Sequence, residues 1–218
     1  KNDLIMFSQK IEILLAYKIE TYLKKINPDT PYWKGKHTWG EMVKFRQQIN
    51  VRKIKSGFTD TDQDCILKWG GIYNFNSYHL LKIGLIELNE RDLSYNQYSR
   101  ISSISKLFSF YNPNSYFILD ARVVLTINHF INLKNTGDLF IPFNPLKSKG
   151  GKVKSLLNKY YISNNKFENM GIAYLAYNDL ILRIFKSVTI PNKLPKRPEI
   201  IEMAIFSIAD DVVKKSLT

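Results

Sequence analysis

The sequence predicts an all-α protein, a compact domain built from many helices. Apolar residues recur every three or four positions over most of the chain, as they do on one face of a helix. No segment alternates apolar and polar residues for long enough to predict a strand, although the short runs at residues 116–119 and 139–143 are compatible with extended backbone. With 218 residues, 44% of them hydrophobic, the chain can bury a core without a disulfide or a structural metal.

Each predicted helix has a recognisable start or end. An apolar pattern with helical spacing covers residues 4–23 and ends at Asn27-Pro28-Asp29. Thr38 and Glu41 fit a capping box, which predicts the start of a second helix. The remaining helices are predicted at residues 60–69, from Asn76 or Ser77 onward, and at 94–111, 120–133, 152–161, 166–188 and 198–215.

A single domain is predicted over residues 1–218. We expect two lobes within it, one formed by residues 1–57 together with 134–218 and the other by 58–133. No apolar run reaches the roughly 18 residues that span a bilayer, so no membrane association is predicted. One cysteine, Cys65, excludes an internal disulfide, and together with the lack of a signal-peptide pattern this favours the reducing cytoplasm. The alternative is a secreted bacterial protein that lacks disulfides.

The net charge points to a polyanionic partner. The chain carries 32 Lys and Arg against 19 Asp and Glu, a net charge of +13, and its pI is about 9.6. Such a charge favours nucleic acid or an anionic membrane surface, and we predict nucleic acid, in particular double-stranded DNA. The alternative is that the lysine-rich composition reflects an AT-rich genome and carries no mechanism.

A basic segment with two adjacent glycines is the best candidate for binding a nucleic-acid backbone. The glycines let the chain approach a ligand closely, and the N–H groups of the following helix favour anions. The spacing is not that of a nucleotide-binding P-loop, and the alternative is a solvated loop. The predicted phosphate contacts are Lys147, Lys149, Gly150, Gly151, Lys152 and Lys154.

Lys106 and Asp120 are the candidate catalytic residues. A lysine whose pKa is lowered can attack a sugar carbon and form a Schiff base. A carboxylate at a helix start can stabilise an oxocarbenium-like sugar cation or orient water. This pair therefore fits the removal of a base from DNA. The alternative is that Asp120 caps its helix and that Lys106 is a solvated helix residue.

The segment around this pair resembles the catalytic segment of the helix-hairpin-helix DNA glycosylases. The similar stretch runs from Trp69-Gly70-Gly71 to Asn128, with Ile201-Glu202-Met203-Ala204-Ile205-Phe206 as a further match, about a third of the chain in all. The resemblance is closer to divergent bacterial relatives, among them glycosylase-like proteins used in phage defence. It implies an all-α fold in which a flipped base enters a site between two helical lobes.

The resemblance also implies roles for individual residues. The essential aspartate of the family matches Asp120, and its lysine, where present, matches Lys106 loosely. The Gly-x-Gly with which the family binds a DNA phosphate is absent, because residues 101–107 contain no glycine. The backbone would instead be bound by Gly150 and Gly151. The loose lysine match leaves open whether an enzyme here is a lyase or only a hydrolase.

Other residue types contribute less to the functional prediction. Trp69 and Tyr73 are candidates for stacking on bases, with core packing as the alternative for Trp69, and Arg122 is a candidate contact to phosphate or to the abasic product. The three histidines are far apart and lack a metal-binding spacing, so neither a metal nor another cofactor is predicted. Three hypotheses follow: a DNA glycosylase-like enzyme, a non-catalytic nucleic-acid-binding module, or a helical protein-interaction domain with lysines spread evenly over its surface.

Overall fold

The computed structural model describes residues 7–32, 37–73, 100–142, 151–161, 167 and 170–215. In these ranges the regular structure is helical, which confirms the predicted fold class. An isolated antiparallel bridge joins Pro31 and Thr38. The helices of the described ranges are α1 Gln9–Lys25, α2 Trp39–Ser56, α3 Asp60–Trp69, α4 Ile101–Tyr111, α5 Ala121–Lys134, α6 Gly151–Tyr161, α7 Met170–Ser187 and α8 Glu199–Lys215.

The centre of the core lies between α5 and α8. These two helices share the most extensive contact in the described part of the chain, and α1 packs against α5, α7 and α8. On α1, the residues Ile11, Leu15, Ile19 and Leu23 are fully buried, which gives one apolar face with a four-residue step. On α8, apolar residues cover most of the circumference, as expected for a helix surrounded by others.

The packing of α5 against α8 brings together segments of the two predicted lobes. The division into lobes itself stays a prediction. None of the helices in the described ranges is long and apolar enough to cross a bilayer.

Two predicted helix starts are confirmed in detail. At α2, the Thr38 hydroxyl accepts the Glu41 N–H at 3.2 Å, and the Glu41 carboxylate accepts the Thr38 N–H at 2.7 Å. At α3, Thr59 and Asp62 form the same reciprocal arrangement. A capping box can be recognised from sequence because both partners lie within one turn of the chain.

One helix start was predicted too early, and another can be compared with the structure only in part. Of the helix predicted over residues 94–111, the structure describes α4 from Ile101, with Arg100 as its N-cap, while residues 94–99 lie outside the described residues. The helix predicted from residue 166 begins at Met170. There the Phe167 N–H donates to the Phe140 carbonyl at 3.1 Å, and the Phe167 ring packs edge-on against Phe7. These contacts hold Phe167 outside the helix. The helix predicted from residue 76 or 77 lies outside the described residues.

A buried asparagine fixes the chain that leaves α5. The Asn128 side chain donates to the Ile141 carbonyl and accepts the Ile141 N–H, both at 2.8 Å. Asn128 is 2% exposed, so these two backbone groups have their partner in the interior. Buried backbone groups need such partners because their desolvation is costly.

Replacing this side chain tests how much the anchor contributes. We expect Asn128→Ala to lower the free energy of unfolding by about 3 kcal/mol, because it leaves two buried backbone groups without a partner. Asn132→Ala is the matched control, since Asn132 is exposed on the same helix. Urea unfolding of both variants measures the difference. Equal losses in the two variants would contradict this account of the anchor.

Candidate functional site

The segment that leads to Asp120 is held by α7. The Phe117 N–H donates to the Asn178 side chain at 2.9 Å. The hydroxyls of Tyr174 and Tyr177 donate to the carbonyls of Phe117 and Ile118, at 3.1 and 2.8 Å. All three donors or acceptors on α7 are buried. These bonds give an irregular backbone the internal partners that it would otherwise lack.

Asp120 lies at the end of this segment, directly before α5. The Leu119 N–H donates to the Ser105 hydroxyl at 3.0 Å, which ties the segment to α4. The Asp120 Oδ1 atom accepts the N–H groups of Arg122 and Val123 at 2.9 and 3.1 Å. The predicted cap of α5 is therefore confirmed. No residue that the structure describes donates a hydrogen bond to Oδ2.

The Lys106 side chain points inward and is 9% exposed. Its Nζ atom donates to the carbonyl and the hydroxyl of Ser102, at 2.7 and 3.1 Å. Its aliphatic part lies directly against Gly70, since a Cβ on Gly70 would be 2.7 Å from Lys106 Cδ and 2.9 Å from Cε. The side chain can follow this path only because residue 70 has no Cβ.

The structure brings Lys106 and Asp120 into one electrostatic environment. Burial lowers the pKa of the Lys106 amine, and the negative charges of Asp120 and Glu202 oppose that shift. Burial disfavours an ammonium because it removes the hydration of the charge, whereas a nearby carboxylate stabilises it. The fraction of neutral, nucleophilic amine at a given pH thus depends on these two carboxylates.

A buried ion pair, formed by Arg46 and Glu202, lies near Lys106 and Asp120. The Arg46 Nη2 atom of α2 is 2.6 Å from the Glu202 Oε2 atom of α8, and the two side chains are 6% and 1% exposed. The Arg46 guanidinium also lies over the Phe110 ring of α4, 5.1 Å from its centroid. Arg46, Lys106, Asp120 and Glu202 are called the charged cluster below.

The protonation of Glu202 reflects its burial. Burial raises the pKa of the Glu202 carboxyl to about 7, and Asp120 adds to the rise. Arg46 and the Ile118 backbone N–H act in the opposite direction, because both stabilise the carboxylate. Burial alone would lower the pKa of the Arg46 guanidinium, but Glu202 and Glu199 raise it on balance. The buried Glu202 carboxyl is therefore stable when it is protonated or when its carboxylate contacts Arg46, and not as an isolated charge.

An aromatic stack lies near the charged cluster. Tyr32 is buried, and its ring stacks on Phe206 with 5.1 Å between centroids. The Arg122 guanidinium lies over the Phe206 ring, also at 5.1 Å. Burial raises the pKa of the Tyr32 hydroxyl well above its ordinary value, and Glu202 adds to the rise. The Tyr32 hydroxyl therefore stays uncharged near Glu202.

No functional role was predicted from the sequence for Arg46, Glu202 or Tyr32. Glu202 lies between Ile201 and Met203 on a helix that is apolar nearly all round. A charged residue in such a setting is rarely buried unless it is paired, so its surroundings were a usable signal. The partner was not predictable, since Arg46 is 156 residues away.

Three further candidate residues lie near α3 and α5. Trp69 is half-buried and stacks on Phe45 with a centroid distance of 5.5 Å, while its edge meets Phe110. Tyr73 is 75% exposed. The Arg122 Nη2 atom is 2.8 Å from Asp210 Oδ1. Tyr73 is therefore open to a ligand, whereas Trp69 and Arg122 already have protein partners.

The predicted glycine- and lysine-rich phosphate site is described only in part. Lys147, Lys149 and Gly150 lie outside the described residues. Gly151 is the first residue of α6, Lys152 is exposed, and Lys154 is half-buried.

Basic side chains of three helices converge beside α6. The sequence of α6 contains three lysines and no acid. Burial lowers the pKa of the His129 imidazole on α5, and the charges of Lys215 on α8 and Lys159 on α6 lower it further. Because like charges repel, such a group gains from a polyanionic partner.

No group of three or more His, Cys, Asp or Glu side chains that could hold a metal ion occurs in the described ranges. The chain matches no protein-family model, no curated protein and no solved structure.

A substitution at Gly70 tests the packing of Lys106. Gly70→Ala places a Cβ against the Lys106 side chain, so we expect a loss of about 1–2 kcal/mol in the free energy of unfolding. Lys106→Ala removes the atoms that the new Cβ would meet. In the Lys106→Ala background, Gly70→Ala should therefore lower the free energy of unfolding much less than it does in the wild-type protein. A double-mutant cycle by chemical denaturation measures this coupling.

Gly151→Ala is the control for this cycle, because no atom of the described residues lies within 4 Å of the added Cβ. Strict additivity of Gly70→Ala and Lys106→Ala would show that the two residues are not in contact.

The titration of Glu202 predicts an unusual pH dependence of stability. The ordinary pKa of 4.5 applies in the unfolded chain and a value of about 7 in the folded one. Between these values the folded state holds a proton that the unfolded state has released, so stability falls as pH rises from about 4.5 to about 7. The contribution present below pH 4.5, about 3 kcal/mol, is lost above pH 7.

Glu202→Gln removes this titration. Urea unfolding at pH 5 and pH 8 should show that wild-type protein loses stability relative to Glu202→Gln as pH rises. A difference between the two proteins that is the same at both pH values would contradict the assignment.

Proposed function

We propose that this protein is a DNA glycosylase-like enzyme, which flips a nucleotide out of a duplex and cleaves the N-glycosidic bond of a damaged or modified base. The observation that carries the proposal is the buried Lys106 amine in the electrostatic environment of Asp120. The all-helical fold and the resemblance of this segment to helix-hairpin-helix glycosylases support it. The same resemblance suggests phage defence as the setting, and the single cysteine favours the cytoplasm.

Asp120 is suited to stabilise the sugar during bond cleavage. As the base departs with the bonding electron pair and gains a proton, positive charge develops on the sugar. The two backbone bonds to Oδ1 fix the carboxylate at the positive end of α5. Oδ2 then remains to face the developing cation or to accept a proton from an attacking water.

Lys106 is suited to act on the sugar carbon. A neutral amine attacks C1′, the base leaves with the electron pair, and the amine proton passes to a base or to solvent. Opening of the sugar ring then gives an imine between Nζ and C1′, which water hydrolyses. Burial lowers the pKa of Lys106 and so increases the neutral fraction that this step requires. In a hydrolase-only enzyme, water would attack instead.

The charge of the chain supports DNA as the partner. The net charge of +13 and the basic residues of α6, with Lys215 and His129 beside them, suit the neutralisation of phosphates. Exposed Tyr73 is available to stack on a base or to fill the gap that a flipped nucleotide leaves.

A second candidate, a non-catalytic nucleic-acid-binding module, has a specific observation in its favour. Both reactive groups already have local partners, since Lys106 Nζ donates to Ser102 and Asp120 Oδ1 caps α5. In this alternative the charged cluster serves only to join helices. The alternative did expect Lys106 to point to solvent, and its burial counts against that expectation.

Asp120→Asn separates the two functions because asparagine caps helices about as well as aspartate. We expect its free energy of unfolding to stay within about 0.5 kcal/mol of wild type. We expect its rate of abasic-site formation on duplex DNA with modified bases to fall at least about 100-fold, since the charge that stabilises the cation is gone. Asp120→Ala, which also loses the cap, should cost about 1 kcal/mol in stability.

Abasic sites formed by wild-type protein and not by Asp120→Asn would establish the glycosylase and identify its base class. Abasic-site formation at the same rate in both would contradict the role of Asp120. Salt-sensitive DNA binding without abasic sites, unchanged by Asp120→Asn, would favour the binding module.

A further inference from the structure

The proposed reaction uses Lys106 and Asp120 but gives no role to the ion pair of Arg46 and Glu202. Glu202 is the more buried partner, at 1% exposure, and its Oε2 atom is 2.6 Å from Arg46 Nη2. A buried ion pair adds little stability on balance, because the desolvation of two charges offsets their attraction. Stability alone therefore does not explain its presence in the core.

The pair connects every element that carries the reacting groups. Arg46 belongs to α2, and its guanidinium lies over Phe110 of α4, which is one helical turn after Lys106. Glu202 belongs to α8, and its carboxylate is stabilised by the Ile118 N–H, two residues before Asp120. The ion pair thus contacts the lysine's helix on one side and the aspartate's segment on the other.

Contacts on the opposite side of the lysine restrict its movement. Gly70 lies against Lys106 Cδ and Cε, and Ser102 accepts both bonds from Nζ. The position of the amine relative to Asp120 therefore depends on how α4 is set against the segment before α5. The Arg46–Glu202 pair is the charged link across that junction.

We propose that Glu202, held in place by Arg46, is a positioning residue that keeps the Lys106 amine beside Asp120 and supplies one of the two negative charges that hold it there. The proposal rests on the proposed function only for the statement that these two groups react. The charge and the contacts of Glu202 exist whether or not the chain is an enzyme.

Few charged groups act on Lys106 and Glu202. Among the groups acting on Lys106, the two carboxylates Asp120 and Glu202 raise its pKa against the effect of burial. Around Glu202 lie Arg46 and Asp120, together with the hydroxyls of Tyr32, Tyr174 and Tyr177. Burial raises the pKa of each of these hydroxyls well above the ordinary value, so they stay neutral over the useful range.

A matched control is available on the same helix. Glu199 is one turn before Glu202, is also buried, and also acts on Arg46. It is not among the groups that shift Lys106. Glu199→Gln and Glu202→Gln therefore remove the same charge from the same helix, but only the second removes it from the surroundings of the lysine.

The first measurement is the titration of the Lys106 side chain by NMR, with the signal assigned by its loss in Lys106→Met. It is done above pH 7.5, where Glu202 is mostly ionised. We expect Glu202→Gln to lower the pKa of Lys106 by about 1 pH unit, as expected when one nearby charge is removed from a buried site. Glu199→Gln should leave it unchanged. Equal titration of Lys106 in wild type and Glu202→Gln would overturn the proposal.

Glu202→Gln leaves Arg46 buried without its partner. A second variant therefore tests the proposal if Glu202→Gln does not fold. Arg46→Met combined with Glu202→Leu removes both charges at similar volume, a change that folded proteins often tolerate. The pKa of Lys106 should fall in this variant as well. An unchanged value there would also overturn the proposal.

The second measurement is the pH dependence of base removal. The limb of the profile that reports Lys106 should move to lower pH in Glu202→Gln by the same amount as the NMR titration, and should stay in place in Glu199→Gln. If no variant and no wild-type protein removes a base, the proposed function fails, while the NMR result still decides the role of Glu202. If base removal occurs but its profile does not move, Glu202 does not position the reacting lysine.

Discussion

The charged cluster contains three buried side chains, Arg46, Lys106 and Glu202, and the half-buried Asp120. The mutual compensation of these charges is the constraint on which the rest of the structure depends. An isolated buried charge is too costly for a marginally stable fold. Here Arg46 is paired with Glu202, Asp120 is bound by backbone N–H groups, and Lys106 donates to Ser102. Four helices, α2, α4, α5 and α8, supply these partners.

The same compensation gives the candidate site its chemistry. Burial pushes the Lys106 amine toward its neutral form and the Glu202 carboxyl toward its protonated form, while their neighbours oppose both changes. Groups balanced in this way respond to small changes in their surroundings, which is typical of functional sites and also occurs in purely structural networks. The irregular segment before α5 matters for the same reason. Its backbone is fixed by three side chains of α7, so the carboxylate that follows has a defined place.

The sequence was most informative where the deciding partners are close along the chain. The capping boxes at Thr38 and Thr59 and the cap at Asp120 were predictable because each bond spans two or three residues. Lys106 and Asp120 were chosen from a local pattern and a family resemblance, and the structure places them in one environment. Arg46 and Glu202 were missed because their contact joins opposite ends of the chain. The late start of α7 was missed for the same reason, since Phe167 is held by Phe7 and Phe140.

We propose that the Asp120 carboxylate faces a positively charged sugar during the reaction. The most direct test compares the binding of two duplexes, one carrying a cationic pyrrolidine in place of the sugar and the other a neutral tetrahydrofuran of the same shape. A site built for a sugar cation should bind the cationic duplex at least about 10-fold more tightly, and Asp120→Asn should abolish that preference. Equal affinity of the wild-type protein for the two duplexes, at the same salt concentration, would contradict the account.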